Sequence, residues 1–116
     1  MAGTDLFSIL AVAGVQVSVI GSGAEHEDRA EAVGRLLAGR GAVVVTGIGH
    51  ARNLAVVASG DAVIAVGGRY GTLAEIGFAL TLERRVVVLE PGWAVDGTLR
   101  AATPEEAVDL ALEGLA

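Results

Sequence analysis

The stretch that decides the fold is residues 61–80, which read Asp-Ala-Val-Ile-Ala-Val-Gly-Gly-Arg-Tyr-Gly-Thr-Leu-Ala-Glu-Ile-Gly-Phe-Ala-Leu. It opens with an apolar run, 62–66, whose lack of polar alternation is typical of a strand covered on both faces. A glycine-rich turn follows, and we predict that a mostly apolar helix begins at Thr72. Strand, glycine turn and helix together aim free backbone N–H groups at an anion.

A tight connection that binds nothing is the alternative interpretation of this turn. Two features favour anion binding. Gly68 and Gly71 have no Cβ, so a ligand can approach the backbone. Arg69 is a cation beside a helix N-terminus, where the helix dipole disfavours it unless an anion is bound. The predicted phosphate-binding residues of this turn are therefore Gly68, Arg69, Tyr70, Gly71 and Thr72.

The composition predicts one globular domain that does not bind nucleic acid. The chain has 116 residues, 53% of them hydrophobic, and a formal charge of −6. We assign residues 15–116 to the domain and residues 1–14 to an extension of uncertain structure. The negative charge argues against binding nucleic acid or an anionic membrane. The high hydrophobic fraction in so short a chain predicts a homodimer that buries part of the surface.

The residue types that are missing exclude several chemistries. There is no cysteine, and the eight basic residues are all arginine, which excludes a thiolate metal site, a P-loop lysine and Schiff-base chemistry. The apolar stretch 6–15 is too short to span a bilayer, and no Lys or Arg precedes Arg29, so neither a membrane span nor a signal peptide is expected. We predict a cytoplasmic protein.

Strands and helices alternate along the rest of the chain. Apolar runs predict strands at 15–20, 42–45, 62–66 and 86–89, with helices at 26–39, 51–59, 72–82 and 104–113. The pattern predicts a Rossmann-like α/β fold of three α/β/α layers, with a short parallel sheet of about four strands in the order 2-1-3-4. Ligands of such sheets bind where the strand order reverses. The first strand ends there in Gly21, Ser22 and Gly23, which we add to the phosphate site.

Two common nucleotide-binding signatures are absent. The loop after Gly23 lacks the third glycine of the dinucleotide fingerprint, and the second strand ends in Val45-Thr46 without an acidic residue for a ribose. No G-x-x-x-x-G-K-[ST] motif occurs. A hydride-transferring NAD enzyme is disfavoured, and a P-loop NTPase is excluded.

The residues from Gly68 to Glu75 resemble the P-G-G-x-G-T-x-x-E signature of the Lonely Guy (LOG) family of cytokinin riboside 5′-monophosphate phosphoribohydrolases. The stretches 19–23 and 49–53 are closer to a bacterial sibling group that includes molybdenum cofactor carrier proteins. The resemblance covers about 15–113. Gly67 replaces the proline of the LOG motif, as in the sibling group, and Arg69 replaces its second glycine. A helix and a strand that usually follow Gly47 are missing, which shortens the sheet and exposes an edge beside strand 2.

The resemblance implies that Arg52 and Glu75 are a catalytic pair. A carboxylate can stabilise the positive charge that builds on a ribose during N-glycosidic cleavage, and an arginine can orient it. The alternative for Glu75 is a capping box with Thr72, and for Arg52 a solvated surface position. His26 and His50 are expected to be surface or capping residues, and no metal site is predicted. Trp93 is either a packing anchor or a platform for a base.

Three functions remain open. The first is a carrier or sensor that binds a nucleotide-like phosphorylated small molecule without a further cofactor. The second is a nucleoside 5′-monophosphate phosphoribohydrolase, and the third is a degenerate copy that binds nothing. Because the phosphate turn is nearly complete while the pocket lacks a segment, we expect phosphate binding to survive better than catalysis.

Overall fold

The computed structural model describes residues 14–22, 26–46 and 56–115. Apart from Gly14, the predicted N-terminal extension lies outside this part of the chain. The strands are β1 (Gln16–Ser22), β2 (Val43–Val45), β3 (Ala62–Gly67), β4 (Arg85–Leu89) and β5 (Leu99–Ala101). The helices are α1 (Glu27–Gly39), α2 (Tyr70–Thr81) and α3 (Pro104–Leu112), and residues 56–59 are also helical.

The strands form one parallel sheet in the order β2-β1-β3-β4-β5. The predicted Rossmann-like α/β class and the order 2-1-3-4 are confirmed, and a fifth strand extends the sheet beyond β4. The sequence did not reveal β5 because this strand has only three residues, two of them exposed and one an arginine. β2 lies at the other edge, where Val43 is 47% exposed.

Alternate residues of the central strand face two separate apolar layers. Ala62, Ile64 and Val66 pack with α1 and α3, while Val63 and Ala65 pack with α2 and the helical residues 56–59. All six residues of β3 are buried, as the unbroken apolar run predicted. The sheet is therefore covered on both faces, which gives the three-layer arrangement.

Helix α2 begins earlier than predicted. Its N-cap is Arg69 and its first residue is Tyr70, so Thr72 is already inside the first turn. The reason is Gly68, whose φ of +102° turns the chain into the helix as soon as β3 ends. The capping box between Thr72 and Glu75 is therefore not formed, because that motif needs the threonine at the N-cap.

Helix α3 begins as predicted and is held at both ends. The Thr103 hydroxyl accepts a hydrogen bond from the Glu106 N–H at 3.1 Å, and the Glu106 carboxylate accepts one from the Ala102 N–H at 3.1 Å. At the other end the Arg85 guanidinium donates to the carbonyls of Leu110 and Ala111, each at 3.2 Å. These contacts satisfy backbone groups that have no partner inside the helix.

Candidate functional site

The two predicted loops begin side by side at the carboxyl edge of the sheet. In the β1–β3 pairing Ser22 lies opposite Gly67 and Gly21 opposite Val66. A side chain on Gly21 would overlap the carbonyl of Val66, and the φ of Gly21 is +149°, so this close approach requires glycine. Gly23 and the side chain of Ser22 lie outside the described residues.

Gly67 and His26 fit each other. The φ of Gly67 is +59°, and a Cβ on this glycine would overlap the ring of His26. Proline, which is confined to φ near −65°, cannot adopt this conformation. The departure from the LOG motif at Gly67 therefore makes room for a histidine 41 positions earlier in the chain. His26 is the N-cap residue of α1, but its side chain makes no capping hydrogen bond.

The structural reasons for a glycine differ between positions 68 and 71. A Cβ on Gly68 would overlap the side chain of Thr72, which is only 2% exposed, and the positive φ also requires glycine. Gly71 has an ordinary helical backbone, and apart from its chain neighbours and the backbone of its own helix no described atom lies within 4 Å of where its Cβ would be. A glycine inside a helix makes the protein less stable than an alanine would, by roughly 0.5–1 kcal/mol. Packing thus explains Gly68, whereas Gly71 keeps the first turn of α2 open.

This open first turn stands beside a cleft of about 300 Å³. Its lining comprises His26, Gly67, Gly68, Arg69 and residues 91–94 of the loop after β4. Trp93 forms one wall, and its indole N–H donates to the carbonyl of Arg69 at 3.1 Å. The ring of Tyr70, which is 80% exposed, lies beside the Trp93 ring with centroids 5.7 Å apart and planes tilted by 40°.

The loop that carries Trp93 is braced by two arginines. Arg29 of α1 donates to the carbonyl of Glu90, and Arg100 of β5 donates to the carbonyl of Trp93 at 2.9 Å. Arg100 also forms an ion pair with the Glu90 carboxylate at 3.3 Å. Together with Arg69, three arginines lie at the carboxyl edge of the sheet, and the Glu90 carboxylate offsets the charge of one of them. In a chain whose formal charge is −6, this local excess of positive charge favours an anion there.

A second cavity, of about 230 Å³, lies on the other side of His26. It is bounded by the carboxyl ends of β1 and β2 and by α1. His26 lines both cavities and is the residue that sequence reasoning missed. The only indication of its position in the sequence was Gly67, which has no side chain of its own. The sequence does not show which other side chain fills the space beside such a glycine.

Of the predicted catalytic pair, only Glu75 belongs to the part of the chain that the structure describes. Glu75 lies in the second turn of α2, is 7% exposed, and is not among the described residues that line either cavity. Arg52 and His50 lie outside the described residues. The pairing of Arg52 with Glu75 therefore stays a prediction.

The described residues contain neither a metal-binding cluster nor a membrane-spanning helix. Within residues 14–22, 26–46 and 56–115, no three His, Asp or Glu side chains are grouped so that they could hold a metal ion. None of the helices in these ranges has the length and apolar character needed to cross a membrane.

Comparison with known proteins identifies one family and two solved structures that have the same fold. The model of the SLOG cluster4 family matches residues 43–112. An uncharacterized protein of Archaeoglobus fulgidus is 48% identical over 66 residues, which are 57% of this chain and only 44% of that relative. The chain thus matches less than half the length of this relative.

Two solved structures share the fold. The molybdenum cofactor binding protein of the phototrophic bacterium Rippkaea orientalis superposes with a TM-score of 0.76 at 20% identity, covering 88% of this chain and 98% of the other. The X-ray structure of TM1055, a structural genomics target, gives a TM-score of 0.74 at 22% identity, covering 85% and 99%. At these identities the likeness concerns the fold alone.

Proposed function

The chain belongs to the SLOG cluster4 family, and we propose that it binds a nucleotide-like phosphorylated small molecule as a carrier or sensor. The phosphate lies in the 300 Å³ cleft against the first turn of α2. Gly68, Arg69, Tyr70, Gly71 and Thr72 form the main binding turn, and Gly21, Ser22 and Gly23 contribute from the end of β1.

The observation that carries this proposal is the N-terminus of α2, which its N-cap side chain does not cap. Its N-cap is an arginine, no side-chain capping bond is described, and the first turn holds no acidic residue. The first N–H groups of a helix have no partner within it, and the helix dipole adds partial positive charge. A phosphate would accept hydrogen bonds from these groups and offset the charge of Arg69.

The likeness to a molybdenum cofactor binding protein supports a ring-bearing phosphorylated ligand. Nucleoside monophosphates and molybdopterin-like molecules both combine a planar heterocycle with a phosphate. Both therefore belong in a binding test.

Binding without cleavage fits the position of Glu75 better than hydrolysis does. Its carboxylate would have to reach the anomeric carbon with about ångström precision, because small misplacements cost ~100-fold in rate. Glu75 lies in the second turn of α2 and is only 7% exposed, so its carboxylate has little access to a ligand in the cleft. The phosphoribohydrolase activity is therefore the second candidate.

The partner that we propose for the whole chain is a second copy of itself. Helix α2 has one charged residue, Glu75, and that residue is buried, so the exposed side of this helix carries no charge. An uncharged helix face suits a symmetric contact between two copies.

The experiment that tests the phosphate site is Gly71→Asp. An acid in the first turn stabilises a helix by about 0.3–1 kcal/mol through the dipole, while the same charge repels a phosphate. We expect the melting temperature without ligand to stay level or rise, and the affinity for AMP, measured by calorimetry, to fall at least about 100-fold.

The matched control is Ala38→Asp, which adds the same charge to an exposed position of α1, away from the cleft and from the proposed dimer face. It should leave AMP affinity within about twofold of the original protein. Unchanged AMP binding by Gly71→Asp would show that the phosphate lies elsewhere, and a protein that binds no phosphorylated ligand at all would refute the proposed function.

A further inference from the structure

The second cavity has a lining that suits an apolar, flat group. Val19 and Ile20 of β1, Val44 of β2 and Val66 of β3 contribute apolar surface, while Thr46 and Glu27 stand at its polar margin. Small-molecule sites are largely apolar with a few polar groups that fix orientation. This cavity has that composition, whereas the first cleft is formed mainly by a glycine turn and a loop.

Gly34 keeps this cavity open. It lies in the middle of α1 and lines the cavity. Apart from its chain neighbours and the backbone of its own helix, no described atom lies within 4 Å of where its Cβ would be. Its backbone is helical, so neither strain nor a close neighbour requires glycine here. A glycine that weakens a helix and is not required by packing is consistent with space kept for part of a ligand.

His26 stands between the second cavity and the phosphate cleft and lines both. Small-molecule sites have volumes of roughly 300–1,000 Å³. The volume of the phosphate cleft alone, about 300 Å³, is at the lower end of this range. A ligand that passes His26 would place its phosphate at α2 and its remaining part between α1 and β2.

We propose that the cavity between α1, β1 and β2 binds the planar heterocyclic ring of the phosphorylated ligand, with Gly34 providing the room for it. This inference rests on the proposed function, since the phosphate fixes one end of the ligand. The ring is a purine or a fused ring of similar size, packed against the valines, with its polar edge toward Thr46 and Glu27.

The aromatic pair at the cleft is a poorer site for the ring. Tyr70 and Trp93 lie against each other, so they leave no slot of ring thickness between them. The Trp93 indole N–H is already bonded to the carbonyl of Arg69. These two side chains therefore form a wall, and the ring has more apolar surface available beyond His26.

The test is Gly34→Leu, which fills the second cavity and leaves the phosphate turn untouched. The probes are AMP and GMP, with ribose 5-phosphate as the same phosphate without a ring, all measured by calorimetry. In the original protein we expect the tighter of the two nucleotides to bind at least 10-fold more strongly than ribose 5-phosphate. In Gly34→Leu this advantage should disappear, while ribose 5-phosphate affinity changes less than twofold.

Two controls keep the outcome clear. Ala38→Leu adds a similar side chain to an exposed position of the same helix and should leave all three affinities unchanged. Gly34→Ala, which removes less space, guards against a folding defect and should reduce the nucleotide advantage only in part. If Gly34→Leu keeps the nucleotide advantage, the ring lies elsewhere and only this inference fails. If no probe binds the original protein, this inference fails together with the proposed function.

Discussion

At the scale of single residues, the glycines of one short motif have different tasks. Gly67 and Gly68 have positive φ values, and side chains there would overlap His26 and Thr72. Gly71 has neither constraint, and we propose that its lack of a side chain gives a ligand access to the helix N-terminus. A motif with several glycines thus combines backbone geometry, packing and ligand approach, and substitutions separate these roles.

The contact between Gly67 and His26 makes a prediction about stability. Gly67→Ala should destabilise the protein by more than about 2 kcal/mol, because a left-handed backbone costs roughly 1–2 kcal/mol and the new methyl group overlaps the His26 ring. In a His26→Ala background the overlap is gone, so the same change should cost only about 1–2 kcal/mol. Urea unfolding of the two single variants and the double variant measures this coupling. Equal costs in both backgrounds would contradict the packing of His26 on Gly67.

At the scale of elements, the loop after β4 connects three parts of the fold at the cleft. Arg29 ties this loop to α1, Arg100 ties it to β5, and the Trp93 indole ties it to the turn before α2. The N-cap of α2 is therefore positioned by a residue 24 positions later in the chain. The shape of the proposed phosphate cleft depends on this loop as well as on the glycine turn.

We expect Trp93→Phe to weaken phosphate binding through that contact. The change keeps an aromatic ring but removes the hydrogen bond to the Arg69 carbonyl, which is worth about 0.5–1.5 kcal/mol of stability. Because the turn before α2 is less well held, AMP and ribose 5-phosphate affinities should both fall about 3- to 10-fold.

Thr103→Ala is the matched control for stability. It removes the N-cap of α3 and costs about 1 kcal/mol, but Thr103 lines neither cavity. Phosphate affinity should therefore be unchanged in this variant. A loss of affinity as large as that of Trp93→Phe would mean that general destabilisation, and not the Trp93 contact, lowers binding.

At the scale of the whole molecule, the two faces of the sheet differ in what covers them. α1 and α3 cover one face, and their contact includes an ion pair between Arg40 and Asp109 at 3.0 Å. On the other face, α2 exposes no charged residue, and its exposed positions are Tyr70, Gly71, Ala74, Gly77 and Thr81. The proposed homodimer would cover this uncharged side.

The dimer makes a prediction that light scattering can check. The original protein should have twice the monomer mass at micromolar concentration, and Ala74→Glu, which places a charge on the exposed side of α2, should shift it to the monomer. Ala38→Glu adds the same charge to an exposed position of α1 and should leave the dimer intact. A monomer mass for the original protein would refute the dimer.

The sequence by itself determined the fold class, the strand order and the helix that follows β3. These follow from local patterns: an unbroken apolar run must be buried on both faces, and strands that alternate with helices must pair in parallel. The start of α3 was also predictable, because its capping residues lie within four positions of each other. Local chemistry sufficed wherever the interacting groups are neighbours in the chain.

The tertiary structure alone decided what lies around the candidate site. It moved the start of α2 from Thr72 to Tyr70, which removed the capping box with Glu75, and it brought His26 onto Gly67 and Trp93 onto the Arg69 carbonyl. It also revealed β5, which has too few residues and too much exposure to produce an apolar run. Each of these features depends on groups far apart in sequence. Only the packed sheet determines which distant side chain fills the space beside a glycine.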